Sequence, residues 1–187
     1  MILALVFQLA AAAPDTSRLS PTPATALQQQ DTARRPRRRA IEVSEAYGQR
    51  LQVHRYLSYA MIPVFASQYI AGTKLYDAQQ VGGKPAPGWA KPVHSAGAAT
   101  IAGIFGINTI TGVWNLWDSR HTPEHRWLRY SHAVVMLGAD AAFAYTGIML
   151  SQEAENSFEK RDEHRKVALY AIGASTVSGV VMKVFNR

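Results

Sequence analysis

Four long apolar segments, each with one histidine near its start, occupy this 187-residue chain from His54 to the C-terminal end; the other three histidines are His94, His132 and His164. A helix needs about 20 apolar residues to cross a bilayer, and lipid offers no partner to the backbone of an open strand. Four such segments divided by polar loops therefore predict an all-α fold, a membrane four-helix up-down bundle with a disordered N-terminal tail. Consecutive antiparallel helices would bring His54 and His132 to one end of the bundle and His94 and His164 to the other.

The mean hydropathy of −0.10 conceals this, because it averages a polar N-terminal quarter with segments more apolar than soluble helices. The chain has no cysteine, which excludes disulfides, iron–sulfur clusters, thiolate zinc sites and haem attached through C-x-x-C-H. The net charge of +7 does not point to nucleic acid. Six arginines, Arg18, Arg34, Arg35, Arg37, Arg38 and Arg39, lie outside the apolar region, where a basic cluster meets anionic membrane lipid.

Three segments follow from this pattern. Residues 1–13 form an apolar run ending in alanines, the pattern of a signal peptide or a short anchor, and too short to span a bilayer. Residues 14–43, rich in Pro, Thr, Ser, Gln and Arg, read as a disordered basic tail. Residues 44–187 form the four-helix transmembrane domain. Its first helix begins near Ser44 and contains Pro63, and residues 75–92 are a loop by their Gly and Pro content. The second helix starts around Pro92 and ends near Trp117. Thr122, Pro123 and Glu124 suit the N-cap and first positions of a third helix ending near Ser151, and Ser157 suits the N-cap of the fourth.

Each helix repeats a glycine far along from its own histidine: Gly72 and Gly112 at +18, Gly147 and Gly179 at +15. At about 100° per residue, +18 returns to the histidine face and +15 lies about 60° from it. Each glycine then reaches the end of the bundle held by the neighbouring helices' histidines, where a porphyrin requires close backbone approach. Phe65, Phe105 and Phe143 stand at +11 on the same faces and are expected at the centre, with Ser175 in that place on the fourth helix. Neutral imidazole is a haem-iron ligand, and four histidines in alternate register are what two bis-histidine haems b require.

These histidines resemble the cytochrome b561 family over about residues 50–187. The resemblance implies that the first helix pairs with the third and the second with the fourth. His54 and His132 would hold one non-covalent haem b, and His94 and His164 the other, near opposite membrane faces. With both axial positions filled by histidine such haems have no open coordination site, which favours electron transfer over oxygen chemistry, from one membrane face to the other or between a quinol and a redox partner protein; the family's electron donor does not carry over. The chain departs from the family in having four membrane helices instead of six and no ascorbate-binding motif. A haem-free structural or assembly subunit of a larger membrane complex is the alternative; the same chain could also serve as the cytochrome subunit of such a complex.

Arg55 and Arg129 flank the histidine layers and are candidates for haem propionates, as are Lys91, Arg126, Arg165 and Lys166. Helix-end snorkelling is the competing role for all six. Asp140, eight residues past His132, is expected to be protonated, paired with Lys183, or part of a proton path. His121 and His125 read as solvated loop residues. Most arginines lie on one side, with the N-terminal tail, the 118–131 loop and the C-terminus, which the positive-inside rule assigns to the cytoplasm of a bacterial inner membrane; a cleaved signal peptide would reverse this.

Overall fold

The computed structural model describes residues 44–80 and 82–185, so the expectations for residues 1–13 and for the basic tail lie outside the described residues. Every regular element among these residues is helical. In chain order they are α1 (Glu45–Ala78), α2 (Ala90–Asp118), α3 (Arg126–Ala144), a π-helical turn (Tyr145–Leu150) that continues α3, a short α4 (Glu153–Asn156) and α5 (Phe158–Phe185).

Local chemistry sets most of the boundaries. The Ser44 hydroxyl accepts the Tyr47 N–H at 3.2 Å, and Glu45 stands in the first turn of α1, where a negative charge meets the positive end of the helix dipole. Pro63 lies inside α1 without ending it. Ser157 takes an extended conformation and its hydroxyl accepts the Lys160 N–H, which starts α5 as its sequence suggests. The connection after α1 is shorter than the sequence implies, because α1 continues to Ala78 and α2 begins at Ala90, placing Pro92 in its first turn.

The start of α3 differs from expectation. Thr122, Pro123 and Glu124 are not its cap but a turn, and the helix begins at Arg126 after His125 adopts a left-handed φ of 51°. The cause lies within α3. The Arg129 guanidinium draws in the carbonyls of Ser119, Thr122 and Glu124, which holds the loop as a closed turn instead of letting it continue as helix. The π-helical turn and α4 carry no sequence signal that the periodicity registers.

Three helices among the described residues are long and apolar enough to cross a membrane: Ala90–Asp118, Arg126–Leu150 and Phe158–Phe185. Four apolar spans were expected. At 34 residues α1 is the longest helix, but Arg50, Arg55, Gln68 and Lys74 hold down its apolarity. Polar residues are buried among the apolar core while large apolar residues cover the outer surface. Gln68, Asn108, Asn115, Thr146 and Ser175 are buried, while Ile62, Ile110, Val134, Ile148 and Val177 are 62–76% exposed. Branched apolar residues on the outside suit contact with lipid. The four tryptophans, Trp89, Trp114, Trp117 and Trp127, are all exposed and sit at helix ends, where an indole meets the membrane–water boundary.

The closest helix pairs are α1 with α2 and α3 with α5, with further packing of α2 on α3 and α1 on α5. Between the histidine layers, the rings of Phe65, Phe105 and Phe143 form a closed triangle with centroids 5.0–6.4 Å apart. Met61, Ile101, Ala139 and Ala171 complete that core. On α5 the corresponding Ser175 is buried and donates to its own helix at Ala171 O, 2.7 Å away, so its hydroxyl needs no partner from the aromatic cluster.

Candidate functional site: two imidazole pairs

The helix directions bring the four histidines together as two pairs. The His54 and His132 rings have centroids 6.3 Å apart, and the His94 and His164 rings 6.2 Å apart. All four rings are half-buried and lie on inward faces. Each pair joins helices that are not neighbours in sequence, α1 with α3 and α2 with α5.

Two of the four glycines lie against these rings. A Cβ at Gly112 would stand 3.2 Å from His54 Cε1, and one at Gly72 would stand 3.3 Å from His94 Cε1. Each imidazole therefore rests on the bare backbone of the adjacent antiparallel helix, where a side chain would displace it. The other two glycines do not do this. Open space surrounds the Cβ positions of Gly147 and Gly179, so neither touches a histidine.

Their neighbours hold that place instead. Ser178 Oγ is 2.8 Å from His132 Nδ1, and Thr146 is buried with its backbone facing the His164 ring. On the first helix pair, His54 Nδ1 is 3.1 Å from the Asn108 carbonyl and 3.2 Å from Thr111 Oγ1. Asn108 also donates its amide to Ser58 Oγ, which donates to the carbonyl of His54. Gln68 donates to the carbonyl of His94 at 2.9 Å and fills the space above Gly97. Sequence reasoning passed over these residues, although the signal was present. Gln68, Asn108, Thr146 and Ser178 each stand fourteen residues after the histidine of their own helix, within about 40° of its face.

The charged candidates have separate tasks. Arg129 is committed to the loop carbonyls described above, and Arg55 is exposed beside His54. Lys91 pairs with Glu155 and Lys166 with Asp162, Arg126 lies over Tyr130, and Arg165 lies over Tyr76. Asp140 accepts a hydrogen bond from Thr109 across the α2–α3 contact, and Lys183 stands over the Tyr59 ring. His121 and His125 are exposed in the loop before α3, as expected.

Among the described residues no three His, Asp or Glu side chains converge on a common point. Each end of the helix assembly brings two imidazole rings together, with centroids 6.3 and 6.2 Å apart. Compared with known proteins, the chain matches no family model, no curated protein and no solved structure.

Proposed function

We propose that this chain is a four-helix up-down transmembrane bundle of the cytochrome b561 type, in which His54 with His132 and His94 with His164 each hold one non-covalent haem b. The protein passes electrons between the two faces of the membrane, the bacterial inner membrane on this reading, exchanging them with a quinol or a redox partner protein.

The observation that carries the proposal is the spacing of the rings. A first-row metal binds imidazole nitrogen at about 2.0–2.1 Å, and with the ring centroid about 1.1 Å behind that nitrogen, two imidazoles on opposite sides of one ion have centroids about 6.3 Å apart. The pairs stand at 6.3 and 6.2 Å. The chain's own residues support the same reading at His54. A carbonyl oxygen only accepts, so the Asn108 carbonyl places the proton of His54 on Nδ1 and leaves the Nε2 lone pair to bind a metal. The bare backbones at Gly112 and Gly72 keep side-chain bulk away from two of the rings.

The layers are also spaced for opposite faces. Gly112, at the level of His54, is eighteen residues along α2 from His94, which is about 27 Å of helix against a hydrocarbon core of about 30 Å. A bound haem b supplies a one-electron iron couple, and two histidine ligands leave it no open coordination position, which favours electron transfer over oxygen chemistry.

Pyridine haemochrome analysis of the full chain, purified after expression with ample haem, tests the proposal. About two haems b per chain are expected. A haem-free protein overturns the reading and leaves the structural-subunit alternative.

A further inference from the structure

Asp140 has no part in the proposed function, yet it stands where a carboxyl is costly. It lies in the middle of Arg126–Leu150, one of the helices long and apolar enough to cross a membrane, and Thr109, which donates a hydrogen bond to its Oδ2, lies within another, Ala90–Asp118. Every other acidic residue among the described residues stands in a loop or within two turns of a helix end. The carboxyl is also isolated from charge. No other ionisable side chain stands on α3 between His132 and Tyr145, on α2 between His94 and Asp118, on α5 between Tyr170 and Lys183, or on α1 between Tyr59 and Tyr69. Lys183 itself lies over the Tyr59 ring.

Two helices agree on its depth. Asp140 precedes Phe143 by three residues, towards His132, and Thr109 follows Phe105 by four, towards the Gly112 backbone on which His54 rests. The carboxyl therefore lies on the His54–His132 side of the phenylalanine triangle. Its second oxygen, Oδ1, is buried with no hydrogen-bond partner. A carboxylate has about four lone-pair sites to fill, and lipid offers no donor to any of them. With one donated hydrogen bond, the neutral acid is the less costly form unless a positive charge stands near it.

We infer that Asp140 is a redox-linked proton site, which takes up a proton when the His54–His132 site is reduced and gives it back on oxidation. The inference rests on the proposed haem reading. Ferric iron held by a porphyrin and two neutral imidazoles leaves one positive charge at that site, which favours the carboxylate across a medium of low dielectric, and reduction removes this charge. One electron from the quinol or redox partner is then matched by one proton from water, bonded to a carboxyl oxygen of Asp140. The net charge inside the membrane stays the same. The coupling is reciprocal, so protonation of Asp140 favours reduction by the same factor as reduction favours protonation.

The test is potentiometric titration, at a series of pH values, of the haem-loaded full chain and its Asp140→Asn variant. His132→Ala identifies which spectral component belongs to the His54–His132 site. In the parent protein the potential of that component should fall as pH rises, and in Asp140→Asn, whose amide does not ionise, this fall should be lost. The His94–His164 component should behave alike in both proteins. A merely structural role for the Thr109 bond would lower the melting temperature of Asp140→Asn and leave the slope in place. A second measurement needs no variant: a lipid-soluble carbodiimide adds the O–H of a carboxylic acid across its C=N bond and spares a carboxylate. Mass spectrometry should find Asp140 modified faster in the reduced protein than in the oxidised one. Two bound haems with a potential independent of pH at the His54–His132 site, with equal slopes in parent and variant, or with Asp140 modified equally in both redox states or not at all, overturn this inference alone. A protein that binds no haem overturns the proposed function and this inference with it.

Discussion

His54 of α1 rests on Gly112 of α2, so closely that a Cβ at Gly112 would stand 3.2 Å from the ring carbon Cε1. His94 rests in the same way on Gly72, at 3.3 Å, at the far end of the same antiparallel helix pair. Each helix thus offers its neighbour a ring near its start and a bare backbone near its end.

Gly112→Leu should therefore act at a distance from the histidine of its own helix. Overpacking of this kind costs about 1–3 kcal/mol, and here the branched side chain pushes directly on His54. On the proposed haem reading, haem stoichiometry and low-temperature spectra should show loss of the component that His54→Ala removes, with the His94 component retained. Equal loss of both haems in Gly112→Leu would mean that this glycine serves general packing.

The ring pairing predicts how single histidine variants group. His54→Ala and His132→Ala should abolish one and the same spectral component, and His94→Ala and His164→Ala the other. The rings face each other only within these pairs. Loss of one shared component from His54→Ala and His94→Ala would refute the pairing.

Arg129 should prove structural. Its guanidinium donates to the carbonyls of Ser119, Thr122 and Glu124, and hydrogen bonds from a charged donor contribute about 1.5–3 kcal/mol when well formed. Arg129→Ala should lower the detergent-solubilised melting temperature by the equivalent of about 2 kcal/mol, and on the proposed haem reading both haems should remain at full stoichiometry. Selective loss of the His132 component would instead assign Arg129 to a propionate.

The Phe65, Phe105 and Phe143 triangle separates the two histidine layers, and Phe105 is 7% exposed at its centre. Phe105→Ala should cost about 3–5 kcal/mol by leaving a cavity that rigid helices cannot close. The loss should appear as a lower melting temperature affecting both sites alike, because the cluster packs against all four long helices. Destabilisation below about 1 kcal/mol would show that the helices close over the gap.

Much of this was legible one residue at a time. Histidines at helix starts, phenylalanines at +11 and glycines at +18 recur at fixed offsets, and a helix turns a fixed offset into a fixed face. Alternating helix direction then follows from short loops, which accounts for the pairs His54–His132 and His94–His164. The offset of fourteen was equally regular, but Gln, Asn, Thr and Ser share no side-chain shape, so the repeat is one of polarity and position and is easy to miss. The N-cap assigned to Thr122 failed for a reason that no local pattern holds. The loop closes on a guanidinium seven residues ahead.

By itself the sequence determined that the described residues fold as helices and which face of each long helix carries the histidine, because these depend on hydrophobic length and a period of 3.6 residues. The tertiary structure decided what stands behind each ring. Gly72 and Gly112 touch a histidine while Gly147 and Gly179 do not, and Ser178 turns outward to His132 while Thr146 turns back to Phe143. Such choices depend on differences of an ångström or less in how two helices approach. A hydroxyl near a helix carbonyl and a neighbouring imidazole bonds to whichever the packing brings within reach.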